Sequence, residues 1–502
     1  MYTSARRLAF NSTYARIRSF CEIKTAVKKS IKDEQINSAN KTFGQPTFTT
    51  HPHIITSENE VTPLITKEEY SNRRHNFVEK LVQHVKNQSN ENKRHLIVIP
   101  AATKQYMSDK IPYVFRQNSE YLYLTGCQEP DGCLIITINE NLTSSSSTLF
   151  TRNKDPHAET WDGPRTYPED APDFFGVDNS LPISELENFI SSYRKNKRNI
   201  TLWYDFLNPV QNFTHKAVTD FLHNTASRTC DSPVRFVHEL RLFKSPAEVA
   251  LMQRSCDIAS EAIADTISNS KSGICESQIF AKVDYETRAR GAEFLAYPPV
   301  VAGGDRATII HYINNNQIVK NNELVLMDAG CEYHGYASDI TRTWPINGKF
   351  TKEQREVYEV VLDAQKELID FCGTFPTLDA LFEKMCLLLG KNLQKSKLIG
   401  IQPSDQYLMK AAYQLCPHHV SHYLGMDVHD TPLISRNINI QPGMVITVEP
   451  GIYITHSNKT IAKEYHGIGI RIEDDVLITE NGPVVLSRRC PKHIEEIESL
   501  KR

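Results

Sequence analysis

The sequence predicts an α+β protein, with a smaller α/β domain leading into a larger α+β domain that carries the chemistry. Three observations predict it. The chain has 502 residues, room for two to four domains at about 100–200 residues each. Strand-length apolar runs alternate with helix-length amphipathic stretches up to about residue 236. Beyond that point, capped helices flank short strands in pairs, the pattern of antiparallel strands covered by helices. Composition is that of an ordinary globular chain, 40% hydrophobic and 23% charged, with 57 Lys+Arg against 60 Asp+Glu. The resulting net charge of −3 gives no electrostatic footprint for nucleic acid. No run approaches the roughly 20 apolar residues of a membrane span. The 11 cysteines are odd in number and form no C-x-x-C pair. They argue against a disulfide framework and for a reducing compartment.

The elements follow in order. Residues 1–30 carry Arg6, Arg7, Arg16, Arg18, Lys24, Lys28 and Lys29 against the single acid Glu22, and a helix over 7–21 would set arginines opposite Leu8, Ile17 and Phe20. This is the pattern of a mitochondrial transit peptide, cut near Arg18-Ser19-Phe20. It places the protein in the matrix, and a downstream start codon would add a cytosolic form. Residues 31–65 read as an extended arm. The first domain spans 66–238, with a helix over 68–87 and strands over 95–100, 121–125, 133–139, 147–151 and 200–204. A serine-rich loop is expected at 144–148, and helices over 184–194 and 213–224. The second domain spans 239–502. Ser245, Pro246 and Glu248 form a capping box that opens a helix with Val249, Met252, Cys256, Ala259 and Ile263 on its buried face. Thr351 and Gln354 open another, stopped by Gly373. Strands are expected over 324–328, 337–344, 445–453 and 467–479.

Those strands hold the informative residues. Asp328 ends LVLMDAG, and Asp339 follows in YASDITRTW, so the two carboxylates can face each other across a hairpin. Glu449 lies in VITVEPGIY and Glu473 in GIRIEDDVLIT, where Arg471 and Glu473 share a face. His422 sits in PHHVSHYLGMDVHD beside His418, His419 and His429. Spacing leaves two readings open: four ordinary surface carboxylates, or four that converge. Convergent carboxylates would cost several kcal/mol each or stay protonated. Two divalent cations would offset them, and a hard-oxygen set with one imidazole suits Mn²⁺, Co²⁺ or Mg²⁺ better than zinc.

The strings MDAGCEYHGYASDITRTWPINGKF, HHVSHYLGMDVHD, TVEPGIY and GIGIRIEDD together resemble the catalytic domain of the Xaa-Pro aminopeptidase (aminopeptidase P) family. YVFRQNSEYLYLTGCQEPDG and AETWDGPR resemble its N-terminal domain, and GQPT, HPH, EVTP and EEYSNRRHNF its mitochondrial branch. The resemblance implies a pita-bread catalytic fold behind a creatinase-like N-terminal domain. It implies two divalent ions, Mn²⁺ first, on Asp328, Asp339, His422, Glu449 and Glu473, with a bridging hydroxide as the attacking group. Glu449, His429 and His311 become the catalytic set. His311, His418, His429, Tyr453 and Arg471 become the substrate-binding set. The substrate implied is a peptide with N-terminal Xaa-Pro, and the assembly a homodimer in which the Trp161 position reaches a neighbouring active site. Asn118-Ser119-Glu120 departs from the family's usual Asn-Ser-Asp, which leaves a polar relay from there to Arg471 in question. Trimming of imported mitochondrial precursors, prolidase action on dipeptides, and a non-catalytic pita-bread binding module are the alternatives. No G-x-S-x-G, H-E-x-x-H or P-loop string occurs.

Overall fold

The computed structural model describes residues 43–88, 93–193, 200–224 and 230–501. The basic leader expected over 1–30 lies outside them. Of the segment expected as an arm, the described part is packed down. Gln45 Nε2 donates to the carbonyls of Val61 (3.0 Å) and Gly126 (3.1 Å). Ile55 and Ile65 are buried, and residues 60–66 form a short hairpin.

Helix α1 (Lys67–Asn87) is capped by the Thr66 hydroxyl and buries Tyr70, Phe77, Leu81 and Val85 along one face. That face helps cover a six-stranded mixed sheet of β1 (Arg94–Pro100), β2 (Cys133–Ile138), β3 (Ser145–Thr151), β4 (Asn179–Pro182), β5 (Ile200–Trp203) and β6 (Cys230–Asp231), in the order β6-β5-β1-β2-β3-β4. Two expectations are corrected here. Residues 119–125 form a helix, α2 (Ser119–Thr125), where the alternating YLYLT predicted a strand. Its ends decide the matter: the Asn118 side chain accepts from Tyr121 N, and Gly126 closes the helix in the left-handed region. Arg73 and Arg74 of α1 then take up the carbonyls of Tyr123 and Leu124. The serine run is strand β3, not a loop. The turn comes earlier, where Asn139 Oδ1 accepts from Thr143 N (2.8 Å) and Ser144 N (3.2 Å).

Helix α3 (Pro246–Asn269) opens on the expected Ser245–Glu248 box and buries Met252, Cys256, Ala259 and Ile263; Val249 is only half-buried. Helix α4 (Lys352–Cys372) opens on the Thr351–Gln354 box and ends at Gly373. Between and beyond them lie β7 (Val300–Gly303), β8 (Leu324–Asp328), β9 (Cys331–Tyr333), β10 (Tyr336–Ala337), β11 (Thr341–Pro345), β12 (Val445–Val448), β13 (Gly451–Ile454), β14 (Ile468–Arg471), β15 (Asp474–Thr479) and β16 (Gly482–Val485). They make two antiparallel three-stranded sheets, β7-β8-β11 and β12-β15-β16, a third in which the short strand Phe294–Leu295 pairs with β9 and β9 with β10, and a two-stranded ribbon β13-β14. The ribbon is stitched to β11 where Thr343 Oγ1 donates to Arg471 O and accepts from Arg471 N (3.1 and 3.3 Å). Three of the four expected strands in this domain are interrupted. The breaks fall at Ser338–Ile340, Glu449–Pro450 and Ile472–Glu473. Pro450 cannot donate to a ladder. Each break holds one candidate carboxylate, freed from the pleat to turn inward. No helix among the described residues is long and apolar enough to cross a membrane.

Candidate metal centre

β8 delivers Asp328 at its last residue. The chain then runs out through β9, reverses at His334 and Gly335 (φ 50° and 82°), and returns along β10 to Asp339. The two legs close tightly: a Cβ on Gly330 would lie 1.7 Å from Ser338 O, so glycine is required there. Asp328 and Asp339 thus meet on one side, bridged by Tyr297, whose hydroxyl lies 2.6 Å from Asp328 Oδ1 and 2.5 Å from Asp339 Oδ1. Sequence reasoning missed Tyr297. It sits in FLAYPPV, a string with no chemical signature, and only the fold carries it to the carboxylates.

The opposite side comes from the ribbon and the histidine loop. Glu473 Oε2 accepts from Thr341 Oγ1 (2.6 Å), which itself accepts from Arg471 Nε (3.0 Å). Arg471 Nη2 pairs with Asp328 Oδ2 at 2.6 Å. His422 Nδ1 lies 3.1 Å from the Tyr423 carbonyl. Donating there would leave Nε2 as the lone pair offered to a metal, and it lies 3.3 Å from Asp339 Oδ2 and 3.7 Å from Glu449 Oε1. Donor atoms of Asp339, His422 and Glu473 all fall within 4.8 Å of one another.

These groups share one cavity of about 570 Å³, lined also by His311, His418 and His429. The His429 ring stands edge-on to His422 with centroids 4.5 Å apart. Tyr453, expected at a substrate pocket, is buried behind the wall. Its hydroxyl accepts from Arg471 Nη1 (2.8 Å) and lies 2.9 Å from His418 Nε2. Glu120 does not reach Arg471; it takes Arg241 Nη1 at 2.9 Å and lies 3.2 Å from His238 Nε2.

The bare cluster is in electrostatic conflict. Burial, then the charges of Asp339, Glu449 and Asp328, push Glu473 well above the usual carboxylate range. Burial raises Glu449 to about 7 despite His422 and Arg471. Burial opposes a charge on His422, but the Asp339 hydrogen bond and the Glu449 charge outweigh it and raise the imidazole to about 9. Four carboxylates face one guanidinium and one imidazole. That deficit, and a donor set of oxygens with one nitrogen, fit two hard divalent cations.

The chain has counterparts among known proteins. Residues 250–480 match metallopeptidase family M24, and 70–203 match the aminopeptidase P N-terminal domain. Rat Xaa-Pro aminopeptidase 3 is 42% identical over 92% of this chain and 91% of its own length. The chain belongs to the Xaa-Pro aminopeptidase family. A mitochondrial intermediate cleaving peptidase 55 from Arabidopsis thaliana is 40% identical over 91% of this chain and 87% of its own. Zinc-substituted Escherichia coli aminopeptidase P, solved with product, superposes with a TM-score of 0.78 at 33% identity, covering 87% of this chain and 98% of that one. The pita-bread fold expected of the family is therefore the fold of this chain.

Proposed function

We propose that this family member is a metal-dependent aminopeptidase that removes the first residue of peptides carrying proline second. The observation that carries the reading is the single cavity in which Asp328, Asp339, His422, Glu449 and Glu473 meet beside His429 and His311. The five are assigned as metal ligands. Two divalent cations held there, Mn²⁺ as the first assignment, supply Lewis acidity and an activated water.

The remaining work falls to the chain. An Xaa-Pro bond is a tertiary amide with no N–H, and its ring crowds the scissile carbonyl. Of the histidines that line the cavity, His429 or His311 is assigned to donate to the carbonyl oxygen as charge develops on it. Burial pushes the His418 imidazole down to about 4, so at neutral pH it lines the site as a neutral ring joined to Tyr453 and Arg471. Glu449 is assigned, besides its place among the ligands, to hold a proton and pass it to the prolyl nitrogen as the bond breaks.

Import into the matrix with cleavage near Phe20 is assigned from the basic leader and from the Arabidopsis thaliana relative whose name is mitochondrial. A division of the chain at about residue 238 is assigned from the change in element pattern there, and a homodimer from the family resemblance. Trp161, 79% exposed on the helix Pro156–Asp162, is available to meet a second copy. The intermediate cleaving peptidase relative favours a second reading, removal of one residue from imported precursors without need of proline. A digest with Mn²⁺ decides between them. Cleavage of Xaa-Pro-Yaa but not Xaa-Ala-Yaa supports the first, equal cleavage of both the second, and cleavage of the dipeptide Xaa-Pro alone would make the enzyme a prolidase.

A further inference from the structure

A second buried cluster of charges lies beside the metal centre and is not needed to hold metal. Arg241 is 1% exposed, and its Nη2 reaches Asp430 Oδ1 at 2.5 Å and Asp427 Oδ2 at 2.6 Å; its Nη1 reaches Glu120 Oε1 at 2.9 Å. The other oxygen of Asp430 takes Lys244 Nζ at 3.2 Å. From the N-terminal domain, Ser119 Oγ donates to Asp427 Oδ1 (2.7 Å) and Arg116 Nη2 to Met426 O (2.7 Å). Apart from the Arg241–Glu120 pair, these grips close on residues 426–430, the segment that ends in His429 and Asp430.

Two features show how tightly the segment is held. A Cβ on Gly425 would lie 2.5 Å from Asp430 Oδ2 and 3.0 Å from Lys244 Cε. Thr431, which follows Asp430, is β-branched yet sits at φ 50°, a conformation that persists only where the surroundings over-determine it. Asp430 N also donates to Tyr423 O at 2.9 Å, tying the segment back to the residue after His422.

We propose that Arg241 is a positioning residue for the reaction: through Asp430 it fixes the backbone that carries His429, and through Glu120 it makes the N-terminal domain part of that support. The proposal rests on the aminopeptidase reading above. Deleting the guanidinium would take from the buried Asp430 the nearer of its two cations, leaving it with Lys244, so the test uses Arg241→Lys, which keeps the charge but cannot fork to three carboxylates. Steady-state kinetics on an Xaa-Pro-Yaa peptide, metal content and thermal midpoint are measured for Arg241→Lys, His429→Ala and the double variant. Expected are a kcat lowered about tenfold or more in Arg241→Lys with KM nearly unchanged, two metals retained, and less than about a threefold further loss when the change is made in His429→Ala. Full additivity in the double variant, a loss confined to the thermal midpoint, or loss of metal would each overturn it. A wild-type enzyme that leaves every peptide intact would instead overturn the aminopeptidase reading, and the clamp's catalytic role with it.

Discussion

Two clusters of buried charge lie side by side in this protein, and they are built on opposite principles. Around Arg241, the carboxylates of Glu120, Asp427 and Asp430 meet Arg241, Lys244 and Arg116. Burial alone would raise Asp427, but Arg241 and Arg116 hold it well below the usual carboxylate range. At the metal centre, Asp328, Asp339, Glu449 and Glu473 share Arg471 and His422, and burial with mutual repulsion leaves Glu449 and Glu473 raised. The first cluster is complete within the chain and needs no ligand. The second is complete only with a ligand. Buried charge by itself therefore says little about function; the uncompensated part of it does.

The comparison breaks most sharply on the carboxylates. Asp339→Asn and Glu473→Gln are each expected to abolish turnover, since each takes a charged ligand from the cations; activity above a few per cent at saturating Mn²⁺ would defeat the assignment. Stability moves in opposite directions. Glu473→Gln is expected to stabilise the metal-free protein by removing one repelling carboxyl. Asp430→Asn should destabilise it by about 3–5 kcal/mol, because it breaks a paired, buried network. Denaturant melts of the chelator-treated proteins read both signs.

The histidines of one loop come next. His422→Ala should lower metal content and rate together. His429→Ala should keep two metals and its substrate affinity while kcat falls about 10²–10³-fold, the usual cost of one lost donor to a developing oxyanion. Metal loss in His429→Ala, or full activity, would refute its role.

The last test is the pH dependence of the metal-free protein. Glu449 is raised to about 7 from an ordinary 4.5, so the folded state holds its proton more tightly than the unfolded chain. Its contribution is fully present below pH 4.5 and lost as pH rises to about 7. His422, raised from 6.5 to about 9, loses its contribution over that higher window. Asp474, paired with Arg342 and Lys492 and lowered from 3.8 to about 2, behaves oppositely, losing its contribution only as pH falls through that range. Chelated protein should thus weaken from pH 5 to 9, and Mn²⁺ should flatten the decline. A flat profile without metal would argue against the conflict described for the centre.

Local sequence foretold a good deal. Ser245–Glu248 and Thr351–Gln354 opened their helices as read, because a capping box is a contact among four consecutive residues. Residues 121–125 misled, since alternation in YLYLT was weaker than the Asn118 cap and the Gly126 stop, and its carbonyls are held by Arg73 and Arg74 from α1. Asp328, Asp339, His422, Glu449 and Glu473 stood out because each lies in a chemically loaded string. Tyr297, Thr341 and Arg241 did not, because their significance lies in what they touch across more than a hundred positions of chain or at another strand's end.

By itself, then, the sequence determined the α+β class, the capped helices, the residue types of a divalent-metal site and the family that shares them. All are properties of composition, short spacing and motif. Only the tertiary structure decided that the strands break at Asp339, Glu449 and Glu473, that Tyr297 bridges two aspartates, and that Arg241 grips the loop of His429. The reason is physical. Whether a buried charge is paired depends on side chains brought within about 3 Å by folding, and no local pattern records which distant partner will arrive.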